Sequence, residues 1–205
     1  MKYGRLAVAV ALAASAGAVQ AAGAGLRIGT TGLGADFGWD IAPTLGGRLG
    51  ISGGSWSTDF DTSDVRYDAK LKLGNLNAFL DWSPLGPFRI SAGVIANNNK
   101  VDLVGRTDGF DGTVTGTVKP GHSVAPYLGI GYGNVWTKGV NFYFDLGVMF
   151  QGSPKATLAV NCGPTTPAQC AAAQSRVAAE QARVEDELKN FKYYPVANIG
   201  ITIGF

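Results

Sequence analysis

Few side chains in this sequence have the chemistry of a nucleophile, a base or a metal ligand, and their spacing limits what they can do. The sole histidine, His122, is followed at once by Ser123, with Asp108 and Asp111 lying 14 and 11 residues upstream. A histidine beside a hydroxyl offers a base and a nucleophile, with a carboxylate to orient the imidazole. Adjacent residues on a strand point to opposite faces, however, so His122 is poorly placed to deprotonate Ser123. The expectation is a polar pair at a junction between loop and strand, in a protein that is not an enzyme and carries no cofactor. Cys162 and Cys170 are the only cysteines. No His or acidic residue stands beside them to complete a metal site, so a disulfide closing the intervening loop is the stronger reading in an oxidising compartment. Asp59, Asp61 and Asp64 form a small acidic group, read as a solvated loop in preference to a Ca²⁺ or cation-bridging site. The stretch Gly29-Thr30-Thr31-Gly32-Leu33-Gly34 is no phosphate loop, because neither Lys-Ser nor Lys-Thr follows it.

A second set of charged residues is more informative: Asp36, Arg48, Lys70, Lys72, Arg89 and Asp145. Most of them interrupt segments in which apolar residues alternate with polar or very small ones. Val140, Phe142, Phe144, Leu146, Val148 and Phe150 fall on one face, and Asn141, Tyr143, Asp145, Gly147, Met149 and Gln151 on the other. A period of two over this length is a strand with one apolar face. The same alternation runs through Phe88, Ile90, Ala92 and Val94 and through Leu45, Leu49 and Ile51. In a soluble sandwich the apolar face packs inward; in a membrane barrel it faces lipid, and small and charged residues fill the interior. Charges of both signs in such a lumen should pair, because an unpaired buried charge is costly. The six residues are therefore expected to form an internal network that plugs the barrel; the alternative is a narrow polar path for small solutes or ions.

Compartment and class follow from the start of the chain and its composition. Lys2 and Arg5 precede an Ala-rich apolar run from Leu6 to Val19, and Val19-Gln20-Ala21 supplies the small residues of a cleavage site, so residues 1–21 are expected to be a signal peptide. Removing Lys2 and Arg5 from the 17 basic residues leaves as many as the 15 acidic ones, and a mature chain of zero formal charge argues against a nucleic-acid partner. Charged residues make up 16% of the sequence, against roughly 25% in an average soluble domain. Beyond the leader no stretch has the 18 consecutive apolar residues of a spanning helix.

The expected strands are 26–41, 44–57, 66–83, 88–103, 121–134, 139–152 and 193–205, each long enough to cross a bilayer at a tilt. The alternation changes phase near Thr31-Gly32 and near Gly74-Asn75, where β-bulges are expected. Short turns at 42–44, 83–87 and near 137–138 alternate with longer connections at 58–65, 104–120 and 153–192, the arrangement of periplasmic turns and external loops. Trp39, Trp82 and Trp136 lie beside the short turns, and with Phe205 they are expected to form one aromatic girdle. Seven strands are clear. An even count is the rule, so an eighth is expected from 113–119, from 155–160 or from dividing the first segment.

The chain ends Asn198-Ile199-Gly200-Ile201-Thr202-Ile203-Gly204-Phe205. Asn198, Gly200, Ile203 and Phe205 resemble the signal by which the barrel assembly machinery recognises a final strand. With the leader and the long strands, residues 22–205 resemble a small Gram-negative outer-membrane β-barrel domain, similar in scale to the OmpA membrane domain and to OmpX-like and OmpW-like proteins. The segments Ala125–Gly133, Leu146–Lys155 and Phe191–Val196, with Gly29–Gly34, resemble a group of such proteins without an established activity. The resemblance implies an all-β antiparallel transmembrane barrel of about eight strands in the outer membrane. Its implied partners are membrane lipid, lipopolysaccharide and the assembly machinery, with a possible surface partner at the long loops. A structural or surface-interaction role is expected, a narrow channel being the alternative and a lipid-modifying enzyme a weaker one. Within the last connection, residues 164–191 are expected to form a helical insertion, since Ala168 to Phe191 lack Gly and Pro and Val177, Val184, Leu188 and Phe191 share a face. That helix is expected to close over the mouth, to fold back on the outside, or to meet a partner.

Overall fold

The computed structural model describes residues 21–62, 65–107, 112–164 and 166–205. Residues 1–20 of the expected leader, Asp64, Asp108 and Asp111 lie outside the described residues, as does the side chain of Asp61.

The alternating segments form antiparallel strands, and among the described residues eight of them close into a ring. In order around it these are β1 (Ala22–Gly29), β2 (Gly32–Ala42), β3 (Leu45–Thr62), β4 (Val65–Leu85), β5 (Phe88–Asn97), β8 (Val124–Tyr132), β9 (Gly139–Phe150) and β11 (Tyr193–Gly204), which pairs back onto β1. Closure removes the unpaired edges that an open sheet would present. The side chains sort as a membrane barrel requires. Leu26, Ile28, Leu33, Phe37, Ile51, Leu76, Leu80, Val140, Phe142 and Ile199 point outward and are exposed, whereas Arg27, Asp36, Arg48, Asp81, Arg89 and Asp145 point inward and are buried. Large apolar residues outside and charges inside invert the soluble pattern, and a hydrocarbon solvent is what makes that arrangement favourable.

The eighth strand comes from dividing the first segment. Residues 26–41 are not one bulged strand: Thr30-Thr31 form a tight turn, Gly29 pairs with Gly32, and β1 and β2 make a hairpin. Gly32 has φ of 95°, in the region that only glycine enters readily, and this glycine closes the turn. The phase change belongs to a reversal of chain direction, which a bulge would not produce.

The other two candidates for an eighth strand are strands as well, but they stand outside the ring. β6 (Lys100–Thr107), β7 (Thr113–Lys119) and β10 (Lys155–Asn161) join the upper halves of β3 and β4 in a wall that rises from one side of the barrel. Asn97 lies opposite Asn75 and Lys100 opposite Lys72, so β5 and β6 follow one edge of β4 in a single register. They are one strand interrupted at Asn98-Asn99. There the Asn98 N–H donates to the Gly74 carbonyl and the Gly74 N–H to Asn99 Oδ1; the bulge expected near Gly74-Asn75 is absent, since β4 passes through it in unbroken register with β3 and the interruption falls in the neighbouring strand. The connections 58–65, 104–120 and 153–192 are therefore largely strand and helix, because each continues a membrane strand upward before the chain turns.

Helix α1 (Pro167–Leu188) begins at Thr166, whose hydroxyl accepts from the Gln169 N–H while the Gln169 side chain accepts from the Thr166 N–H, a capping box. It ends before Phe191. The half-buried stripe Ala173, Val177, Gln181, Val184 and Leu188 recurs at three and four residues, and α1 lies along β10. Gln181 Oε1 accepts the Leu158 N–H on the open side of β10. Of the three expected placements, the helix takes the external one: it covers the last strand of the wall, an edge otherwise open to pairing with another chain. Cys162 and Cys170 form a disulfide across the approach to it.

Candidate functional site

The barrel interior holds the densest cluster of charged groups among the described residues. Its centre is Arg48, which projects inward from β3 and is fully buried. Its Nε and Nη2 donate to the two oxygens of Asp81 on β4 at 2.8 and 3.2 Å. Its Nη1 and Nη2 donate to Asp145 on β9 at 2.8 and 3.1 Å. One planar fork thus joins two carboxylates from opposite walls, a geometry that guanidinium supplies and ammonium does not. Arg89 on β5 donates from Nη2 to Asp145 at 2.6 Å, and its Nε stands 3.9 Å from Asp81. Ser91 donates to Asp81. A second group lies beside the first: Arg27 Nη2 donates to Asn77 at 2.6 Å, Arg27 Nε is 3.3 Å from Asp36, and the Tyr143 hydroxyl donates to Asp36. Tyr143 also presents its ring to Arg48 and Arg89, with centroids 5.9 and 5.4 Å from the guanidinium carbons. Three arginines face three aspartates, so the cluster is neutral as a whole, the condition under which buried ions are tolerated.

Small residues make room for this. A Cβ on Gly131 would meet Arg89 Nε at 2.9 Å, and one on Gly147 would fall 2.5 Å from the Tyr127 hydroxyl. The glycine alternation on β8 and β9 is the price of large side chains on the facing strands. Above the ionic layer the interior turns apolar, with Phe79, Ile95, Ala125, Tyr127, Met149 and Val196 in one buried cluster. Below it, at the end that carries Ala22 and Phe205, the 133–138 loop folds into the opening. Val135 is wholly buried there, Asn134 accepts from Ser83, and the Trp136 ring covers Gly38 and Gly46 on their inward faces.

Four of the six charged residues singled out in the sequence, Asp36, Arg48, Arg89 and Asp145, meet in the lumen. Lys70 and Lys72 do not. They lie in the part of β4 above the barrel, where Lys70 is exposed and Lys72 pairs with Asp102 at 2.8 Å. The reason is that β4 runs in unbroken register with β3 through Gly74-Asn75, so Lys70 and Lys72 stay on the outer face with Leu76 and Leu80, while the face that is lumen in the barrel belongs to Leu71 and Leu73. Arg27, Asp81, Asn77 and Tyr143 complete the network and were missed. Arg27 between Leu26 and Ile28, and Asp81 between Leu80 and Trp82, carry a usable signal, a lone charge flanked by large apolar neighbours. Trp136 also departs from expectation, closing the lumen while Trp82 is exposed on the outer surface.

On the final strand, Ile199, Ile201, Ile203 and Phe205 are exposed while Asn198, Gly200 and Thr202 face inward. Asn198 accepts from Thr31, and Gly200 lies against the Tyr143 ring. His122 and Ser123 are exposed beside β8, with the His122 ring over Gly152. Asp59 lies on the wall strand β3.

The closed ring, the apolar exterior and the ion-paired interior define an outer-membrane type of β-barrel. Solved structures agree: the chain is similar to a crystal structure of Acinetobacter baumannii CarO, with 22% identity, a TM-score of 0.62 and coverage of 89% of this chain and 97% of that one. It is similarly related to Acinetobacter baumannii CarO2, with 22% identity, a TM-score of 0.63 and coverage of 90% and 98%. At this identity the likeness is one of fold. Neither a protein-family model nor a curated protein matches the chain.

Proposed function

We propose that this chain resides in the bacterial outer membrane as a closed barrel and serves the envelope as a structural or surface-interacting element, without catalytic activity. The observation that carries this reading is Arg48, with no exposed surface and held from both walls by Asp81 and Asp145. A solute crossing the lumen would have to separate those pairs, and removing the partner of a buried charge costs about 3–5 kcal/mol. The Trp136 loop adds a second obstruction at the terminal end, which this reading assigns to the periplasm. The wall and α1 then stand outside the cell, where they offer a surface to a partner. The final strand is the segment offered to the assembly machinery.

One observation favours a narrow channel instead: Arg89 Nε and Nη1 are buried without a hydrogen-bond acceptor, as a site awaiting an anion would be. Solute flux into liposomes containing the refolded mature chain separates the two readings, with folding checked by a heat-dependent gel shift. No flux of small sugars, amino acids or ions is expected. Flux above the protein-free control that changes in Arg89→Ala would overturn the closed reading.

A further inference from the structure

The outer face of the wall changes character just above the lipid-facing band. On β4, Trp82, Leu80, Leu76 and Lys72 share one face, since strand residues two apart point the same way. Leu80 and Leu76 are exposed and apolar; four residues further up stands Lys72. The neighbouring strands repeat the step: Lys100 follows Val94 after six residues, Lys119 precedes Val124 by five, and Lys155 follows Phe150 by five. Lys72 pairs across strands with Lys100, and Lys119 with Lys155. Val101 faces Val118, which brings Lys100 and Lys119 side by side one step below. Four lysines thus form one row over four strands, roughly 14 Å long at the usual strand spacing. The opposite face of the wall carries Leu71, Val101, Val118 and Ala156.

Like charges directly opposite one another destabilise a sheet. Asp102 relieves part of this row, 2.8 Å from Lys72 and 3.7 Å from Lys100. Lys119 and Lys155 are exposed and make no ion pair among the described residues. A repulsive row maintained at one level is explained if an anion from outside the chain completes it. The level identifies the anion. Four residues of strand rise about 13 Å along the chain, or about 10 Å at barrel tilt, from the last apolar side chain to the polar headgroup zone. Lysine stems can lie along the apolar surface while their ammonium groups reach phosphate oxygens.

We propose that Lys72, Lys100, Lys119 and Lys155 form a docking row for the phosphorylated headgroup of an outer-leaflet lipid. The inference rests on the outer-membrane reading above and adds the ligand chemistry and the residues.

The test uses the mature chain refolded in neutral detergent and titrated with phosphorylated lipid A, with bound lipid counted by native mass spectrometry. Lys119→Gln/Lys155→Gln should weaken binding about 10- to 30-fold, at the usual contribution of a lysine near an anionic surface. Lys138→Gln, at the other end of the barrel, should leave binding unchanged. Lys155→Glu should separate lipid docking from a purely structural role. It pairs with Lys119 and should raise Tm in lipid-free detergent while lowering lipid binding; a structural role would move both in one direction. Undiminished binding by the double variant, or equal binding of lipid A stripped of phosphate, would overturn the proposal. Displacement of the lipid by millimolar inorganic phosphate would also overturn it, assigning the row to a soluble anion. Insertion into vesicles, followed by protease protection, is measured in parallel. A chain that fails to insert refutes the membrane reading and the proposal with it, whereas insertion with unaltered binding refutes the lysine row alone.

Discussion

Replacing Arg48 with Met removes the guanidinium that clasps Asp81 and Asp145, and its consequences follow from the four contacts of 2.8 to 3.2 Å that disappear. Two carboxylates then remain in a buried site with one fewer cation. Asp145 keeps Arg89 at 2.6 Å, and Asp81 keeps Ser91 with the more distant Arg89, so neither is wholly abandoned. Breaking a buried pair from one side costs about 3–5 kcal/mol, and the remaining partners place the expected loss near about 3 kcal/mol. Arg48→Met/Asp81→Asn leaves two arginines facing two aspartates and preserves an acceptor for Ser91. Balanced removal of a buried pair is close to neutral, so this double variant should return to within about 1–2 kcal/mol of the original chain. The assay is denaturant unfolding of the mature chain in lipid vesicles, followed by tryptophan fluorescence, with the gel shift reporting a folded start. A single variant within about 1 kcal/mol of the original, or a double variant less stable than the single, would refute the view that net charge balance stabilises the interior.

Filling the cleared space should also be costly: Gly131→Val would press on Arg89 and is expected to lose about 1–3 kcal/mol in the same unfolding assay. Trp136→Ala opens the terminal end but leaves the Arg48 layer intact, so liposome flux should stay at background; flux from this variant alone would locate the barrier in the loop. Cys162→Ser/Cys170→Ser loosens the approach to α1, away from the ring, and should hasten protease cleavage near the helix while the barrel's unfolding midpoint is unchanged. In the wall, the hydrogen bond from Lys72 holds the Asp102 carboxyl below its ordinary 3.8. Its pairing therefore stabilises the folded wall above about pH 4 and is lost as pH falls through the lowered value. A carbon-detected NMR titration should show a midpoint below 3.8 that moves up in Lys72→Gln.

The architecture of the membrane part is legible in the order of residues along each strand. A period of two with apolar residues on one face, turns of a few residues and a last strand ending in Phe205 can be satisfied by a barrel in lipid, because these are local properties of a strand and its solvent. The same order also marked Asp36, Arg48, Arg89 and Asp145, since a charge on the small-residue face of such a strand has only the interior to enter. Tertiary structure alone decided which charges meet. Arg48 finds Asp81 and Asp145 at separations of 33 and 97 residues, and that pairing depends on the stagger of strands around the ring. It also decided where the ring stops. Nothing local marks the level at which β4 leaves the ring: Lys72 stands on the outer face with Leu76 and Leu80 while Asp81 faces in, and only the assembled sheet shows that β3 and β4, at 18 and 21 residues, outrun β1 and β2, at 8 and 11, and continue upward without closing.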